Sequence, residues 1–131
     1  MAYIRRGRED VENYPVENCH DGQGTIFVRQ LLGERSLPDL RDSQDFGSDI
    51  RFMHETPLPA GTTIGPHPHM GNEELYYVVE GVGEMTVDGE TFAMNPGSVC
   101  LTKSGSRHSF RNIGDSDLKI IVLEAAVHSK I

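Results

Sequence analysis

Tryptophan is absent from these 131 residues, and cysteine occurs only as Cys19 and Cys100. Two thiols in unlike contexts are too few for a disulfide framework and lack the paired spacing of a thiolate metal site; both read as free, Cys100 as buried filler. Basic charge is scarce as well. Twelve Lys and Arg stand against twenty Asp and Glu, a formal net charge of −8 and a pI near 5.1. That balance offers no broad basic surface for a phosphate backbone, so nucleic acid is not expected as a partner. The cluster Arg5, Arg6, Arg8 is followed at once by Glu9, Asp10 and Glu12 and reads as a solvated segment. No apolar run approaches the ~20 residues of a membrane-spanning helix. Arginines stand where a signal peptide would have its apolar core, and the expectation is a cytoplasmic protein with no membrane partner. A sustained helical period is missing too.

What the chain does contain is short strand-like runs separated by turn residues. Residues 1–23 are rich in Arg, Glu and Asn around Pro15 and predict an irregular arm with room for one short strand; residues 24–131 predict a single domain. Strands are expected at 25–33, 49–56, 75–80, 83–87, 90–94, 98–102, 107–112 and 118–125, where β-branched and apolar residues recur between Gly, Pro, Asn and Asp. Asp88-Gly89, between two alternating runs, is a strong hairpin signal. The polar stretch 34–48, broken by Pro38 and Gly47, is long for a loop in a compact domain and marks a functional or mobile segment. Strand spacing of this kind indicates an all-β sandwich or barrel.

The chemistry concentrates in 61–81, GTTIGPHPHMGNEELYYVVEG. His67 and His69 are two apart, so in an extended segment their imidazoles leave the backbone on one side. Pro66 and Pro68 restrict that backbone and fix the ligand direction in advance. Glu74, at the head of the next apolar run, adds a carboxylate, and His108 in 97–112 supplies a third imidazole. This donor set suits manganese, iron, zinc, nickel or copper, with little discrimination among them. Tyr76 shares a strand face with Glu74, and Phe110 and Asn112 share one with His108, which makes these three expected pocket walls. His54 precedes the metal stretch on a strand that can share the pocket. His20 and His128 carry no motif support and read as surface histidines. Arg107 and Arg111 alternate with the pocket residues and should face away.

Both stretches resemble the paired motifs of the cupin superfamily. Gly61, His67, His69, Glu74 and Gly81 match the first motif; Gly97, Gly105, His108 and Asn112 match the second, with Lys103 standing where the family often has a turn-shaping Pro. The resemblance covers roughly residues 50–125. It implies a single-domain double-stranded β-helix, a jelly-roll barrel, and one divalent transition metal ion per chain, manganese or iron first, with zinc, nickel and copper as alternatives. Four protein ligands leave positions open for a small oxygen-rich molecule. The implied function is a metal-dependent decarboxylase, dioxygenase or isomerase in which Glu74 holds the metal and Tyr76, or an acid on a lid such as Glu34, moves a proton.

Oxalate decarboxylases of the family carry a substrate-binding arginine three residues before the first ligand histidine. That position is Ile64 here, closer to the germin pattern. A non-catalytic small-molecule sensor acting through a protein partner is the alternative, and a storage role is disfavoured because the ligand set is complete. Edge strands of a small open jelly roll, with an arm able to cover a partner's edge, predict a homodimer.

Overall fold

The structure, a computed structural model, describes residues 2–33 and 44–128; Glu34 and most of the expected 34–48 loop lie outside the described residues. Ten strands occur among them. In chain order they are β1 (Tyr14–Glu17), β2 (Thr25–Gly33), β3 (Ile50–Leu58), β4 (Thr63–Pro68), β5 (Asn72–Glu80), β6 (Gly83–Val87), β7 (Glu90–Met94), β8 (Val99–Thr102), β9 (Arg107–Asn112) and β10 (Leu118–Ala126). One sheet runs β1-β2-β3-β10-β5-β8 and the other β4-β9-β6-β7, with every pairing antiparallel. The fold is an all-β jelly roll. No helix among the described residues is long and apolar enough to cross a membrane.

Period-two patterning explains the layers. Inward positions of β5 are Glu74, Tyr76 and Val78; those of β10 are Leu118, Ile120, Val122 and Glu124; those of β9 are His108, Phe110 and Asn112. On β3, Phe52 and His54 lead to Thr56 and Leu58. Each of these strands therefore has a polar end and an apolar one, Phe52 and Asn112 excepted. The apolar ends pack Leu58, Val78, Met85, Met94, Phe110, Leu118 and Ile120 between the sheets, and each such side chain contributes about 1.5–3 kcal/mol of transfer free energy. The polar ends meet at the opposite end of the sandwich and form the site.

The Asp88-Gly89 turn has φ of 48° and 85°, the left-handed pair that matches the strand twist of a two-residue hairpin between β6 and β7. Part of the arm is structured. β1 pairs with β2 of its own chain, and residues Asn18–Gly22 form a tight turn lying against β4.

A bulge in β4 decides which residues face inward. Ile64 stands opposite Phe110 and His67 opposite His108, so three residue steps on β4 oppose two on β9. The extra residue resets the alternation, allowing both Ile64 and His67 to point into the barrel.

Candidate metal centre

β4 and the turn after it carry His67 and His69, β5 carries Glu74, and β9 carries His108. One donor atom from each lies within 4.8 Å of all the others. His108 Nε2 is 3.0 Å from both His67 Nε2 and His69 Nε2, and Glu74 Oε1 is 3.3 Å from His69 Nε2 and from His108 Nε2.

The outer ring nitrogens explain why the inner ones converge. His67 Nδ1 lies 2.8 Å from the Gly65 carbonyl, His69 Nδ1 2.7 Å from Asn72 Oδ1, and His108 Nδ1 2.7 Å from Thr102 Oγ1. Each outer partner offers an acceptor, which places the proton on Nδ1 and the lone pair on Nε2. Three such lone pairs and a carboxylate oxygen directed at one point repel one another unless a cation stands among them. The residues present therefore fit a transition metal ion, with the outer-nitrogen partners that metal-bound histidines require.

Electrostatics follow the same geometry. Burial pushes His67 down to about 4, so its imidazole is neutral. Burial alone would raise the Glu74 carboxyl, but the adjoining His108 and His69 rings outweigh it and hold Glu74 well below the usual carboxylate range. His69 is raised by its contact with Glu74. Tyr76 is pushed far above its ordinary range by burial first and the adjacent Glu74 second. The phenol thus keeps its proton.

His67, His69 and Glu74 border a cavity of about 380 Å³, whose lining does not include the fully buried His108. Tyr76 and His54 line it. His54 Nε2 is 3.0 Å from Gln30 Oε1 and its ring stacks on Phe52 at 4.1 Å; burial lowers it to about 4. Phe110 and Asn112, the other candidate pocket walls, are not among the lining residues of this cavity. They share the inward face of β9 with His108 but lie farther along it, at ~3.3 Å per residue. Phe110 packs on Tyr76 in the core, and Asn112 donates to the carbonyls of Leu58 and Ser116 and accepts from Gly114 N–H at 2.8–2.9 Å.

Three residues belong to the site that sequence reading did not place there. His20, expected at the surface, stacks on His67 with ring centroids 3.6 Å apart; it comes from a turn in which Asn18, His20 and Asp21 all have positive φ. Glu124 stands opposite Glu74 in the β5–β10 register, and its Oε1 lies 3.6 Å from His69 Nδ1. Burial, then the charge of Glu74, lifts Glu124 to about 7. Arg51 pairs with Glu124 at 2.8 Å. The inward alternation of β10 was a usable signal for Glu124; His20 and Arg51 carried none. Arg107 and Arg111 face outward, the latter 2.7 Å from Glu84, and His128 pairs with Asp49 at the surface. Among the described residues both cysteines are free, Cys19 on the cavity wall.

Residues 54–124 match the cupin domain family. The chain is 29% identical to the oxalate-binding protein of Thermotoga maritima over 108 residues, 82% of each chain. It is 37% identical to an uncharacterized protein of Methanocaldococcus jannaschii over 121 residues, 92% of this chain and 85% of that one. The crystal structure of a predicted oxalate decarboxylase from Thermotoga maritima superimposes with a TM-score of 0.81 at 25% identity, over 95% of this chain and all of that one. With the motif residues gathered at one end of a jelly roll and the family match spanning more than half of its length, this chain belongs to the cupin domain family.

Proposed function

We propose that the chain is a metal-dependent enzyme acting on a small carboxylate, enol or sugar-like substrate, with one divalent ion, manganese or iron in preference to zinc, nickel or copper, held by His67, His69, Glu74 and His108. The observation that carries this reading is the convergence of four candidate ligand atoms within 4.8 Å, three of them from residues on the wall of a cavity. A bound metal with positions left open supplies Lewis acidity towards a substrate oxygen. The chain's own residues do the rest. Tyr76 stands beside the Glu74 carboxylate, neutral His54 and the Phe52 ring shape one wall, and Glu124, raised to about 7, exchanges a proton near neutral pH.

The test is elemental analysis of protein purified without nickel resin, beside Glu74→Gln and the His67→Ala, His69→Ala double variant. It is followed by assays of carbon dioxide release and dioxygen uptake on oxalate and on enediols. One equivalent of metal, lost in the double variant, with turnover abolished in Glu74→Gln, supports the enzyme. Unchanged turnover in Glu74→Gln refutes it.

A second reading is a non-catalytic binding protein, favoured by the similarity to a relative named for binding oxalate. Stoichiometric ligand binding without turnover, and a protein partner recovered beside the chain, would establish it.

The protein is further proposed to be cytoplasmic and a homodimer. The outward face of β5 and β8 exposes Tyr77, Val79, Val99 and Leu101, and such a patch is commonly covered by a partner. Light scattering that returns a monomeric mass overturns the dimer.

A further inference from the structure

Among the described residues, His67 is the candidate ligand whose ring is covered face to face by another. The His20 and His67 rings stack with centroids 3.6 Å apart and planes 13° from parallel. The contacts of His67 with His69 and His108 are edge-on, at 64° and 78°. His20 is exposed and borders the 380 Å³ cavity, while His67 is 9% exposed, so the outer ring shields the ligand from solvent. His20 also lies outside residues 54–124, the stretch that matches the family.

Holding this contact strains the backbone. Asn18, His20 and Asp21 have φ of 50°, 51° and 61°, left-handed values that such residues keep only where their surroundings fix them. Here they do. Asn18 N–H donates to the Gly24 carbonyl, Asp21 N–H to that of Asn18 and Gly22 N–H to that of Cys19, at 2.9–3.0 Å. Two further bonds fasten the end of the turn to β4: Thr63 N–H donates to the Gln23 carbonyl at 2.9 Å, and Gln23 N–H to Thr63 Oγ1 at 2.7 Å. Glycines at both contact points let the backbones meet. A β-carbon on Gly22 would collide with the Thr63 carbonyl, and one on Gly65 with the His20 carbonyl.

The other two ligand rings are anchored at Nδ1 by side-chain oxygens, those of Asn72 and Thr102. His67 Nδ1 meets the Gly65 carbonyl, two residues back on its own strand. One bond fixes one atom, and the broad Cβ–Cγ torsion of histidine still lets the ring rock. A flat ring packed on its face removes that freedom.

We propose that His20 is a positioning residue of the metal centre: its imidazole, presented by the N-terminal arm, holds the plane of the His67 ring so that Nε2 stays aimed at the point where the four donors converge. It acts through its face, neither as a ligand nor as a proton donor. The arm is thereby part of the centre, and metal affinity depends on it.

The inference rests on the metal reading above, and its test separates the two. The full chain is titrated with cobalt(II), whose visible absorption reports ligand geometry. Competition against a fluorescent chelator gives affinity, and urea unfolding gives the stability of the metal-free proteins. Asparagine tolerates the left-handed backbone and lacks the ring, whereas phenylalanine has a flat ring and no nitrogen. His20→Asn should weaken cobalt binding by about tenfold or more, as loss of a ligand's supporting partner does, and should alter the spectrum. His20→Phe should keep the native spectrum and most of the affinity. Native affinity and spectrum in His20→Asn overturn the proposal, as does an affinity that falls in both variants in step with their metal-free stability. Loss of affinity in His20→Phe at unchanged stability also overturns it, by placing the effect in the ring nitrogens. A native chain that binds less than one equivalent of cobalt, or no more tightly than the His67→Ala, His69→Ala double variant, overturns the metal reading and this inference together.

Discussion

Thr102 Oγ1 lies 2.7 Å from His108 Nδ1, and both side chains are fully buried. The hydroxyl comes from β8 and the imidazole from β9, strands of different sheets, so the contact ties the ligand to the facing wall. Thr102→Val keeps the shape and removes the acceptor. Metal affinity should fall by about 10- to 100-fold, because the ring loses the partner that fixes its tautomer and orientation. Competition against a fluorescent chelator measures this; an unchanged affinity would remove Thr102 from the centre.

Gly65 makes a second prediction. A β-carbon there would collide with the carbonyl oxygen of His20 and approach Gly22 N at 2.8 Å. Gly65→Ala should push the Asn18–Gly22 turn off β4, disrupt the stacking of His20 on His67, and destabilise the fold by about 1–3 kcal/mol. Urea unfolding reads the stability. Resonances of the His20 ring that stay at their native shifts would contradict the displacement.

Metal should be worth stability in its own right. An ion that binds only the folded chain, present at about a thousandfold excess over its Kd, adds about 4 kcal/mol, a rise in Tm of roughly 10 °C for a domain of this size. A chelator should reverse the rise, and the His67→Ala, His69→Ala double variant should show none. An equal rise in that variant would place the metal elsewhere.

The pH dependence has a definite sign. His54 falls from the ordinary 6.5 to about 4 on folding, through burial, so between those values the unfolded chain takes up a proton that the folded chain refuses. Its contribution is complete above pH 6.5 and is lost as the pH falls towards 4, by about 3 kcal/mol in the limit. Glu124, raised to about 7, acts oppositely: its contribution is complete below the ordinary 4.5 and is lost as the pH rises to 7. The difference between the native chain and His54→Gln isolates the first effect in metal-free protein. Parallel stability profiles from pH 4 to 7 would show that His54 does not titrate in this way.

Local chemistry was legible without the fold. His67, His69 and Glu74 stand close in sequence, the Asp88-Gly89 hairpin is a two-residue signal, and four strands, β2, β6, β7 and β9, were read to the residue, because period-two patterning is a property of each strand alone. Alternation also placed Tyr76, Phe110 and Asn112 on the inward face. It does not say how far along a strand the site extends, and for that reason Phe110 and Asn112 proved to be core and scaffold.

The sequence by itself determined the donor set, the strand positions and the face each inward side chain takes, since these depend on neighbours a few residues apart. Tertiary structure decided what depends on register. The β4 bulge sets Ile64 and His67 on the same side, the β3 bulge turns Arg51 towards Glu124, and the β5–β10 pairing puts a second carboxylate opposite Glu74. It also folds His20 onto His67 through a left-handed turn packed against β4. A one-residue slip reverses every side chain beyond it, and whether a slip occurs is settled by the partner strand.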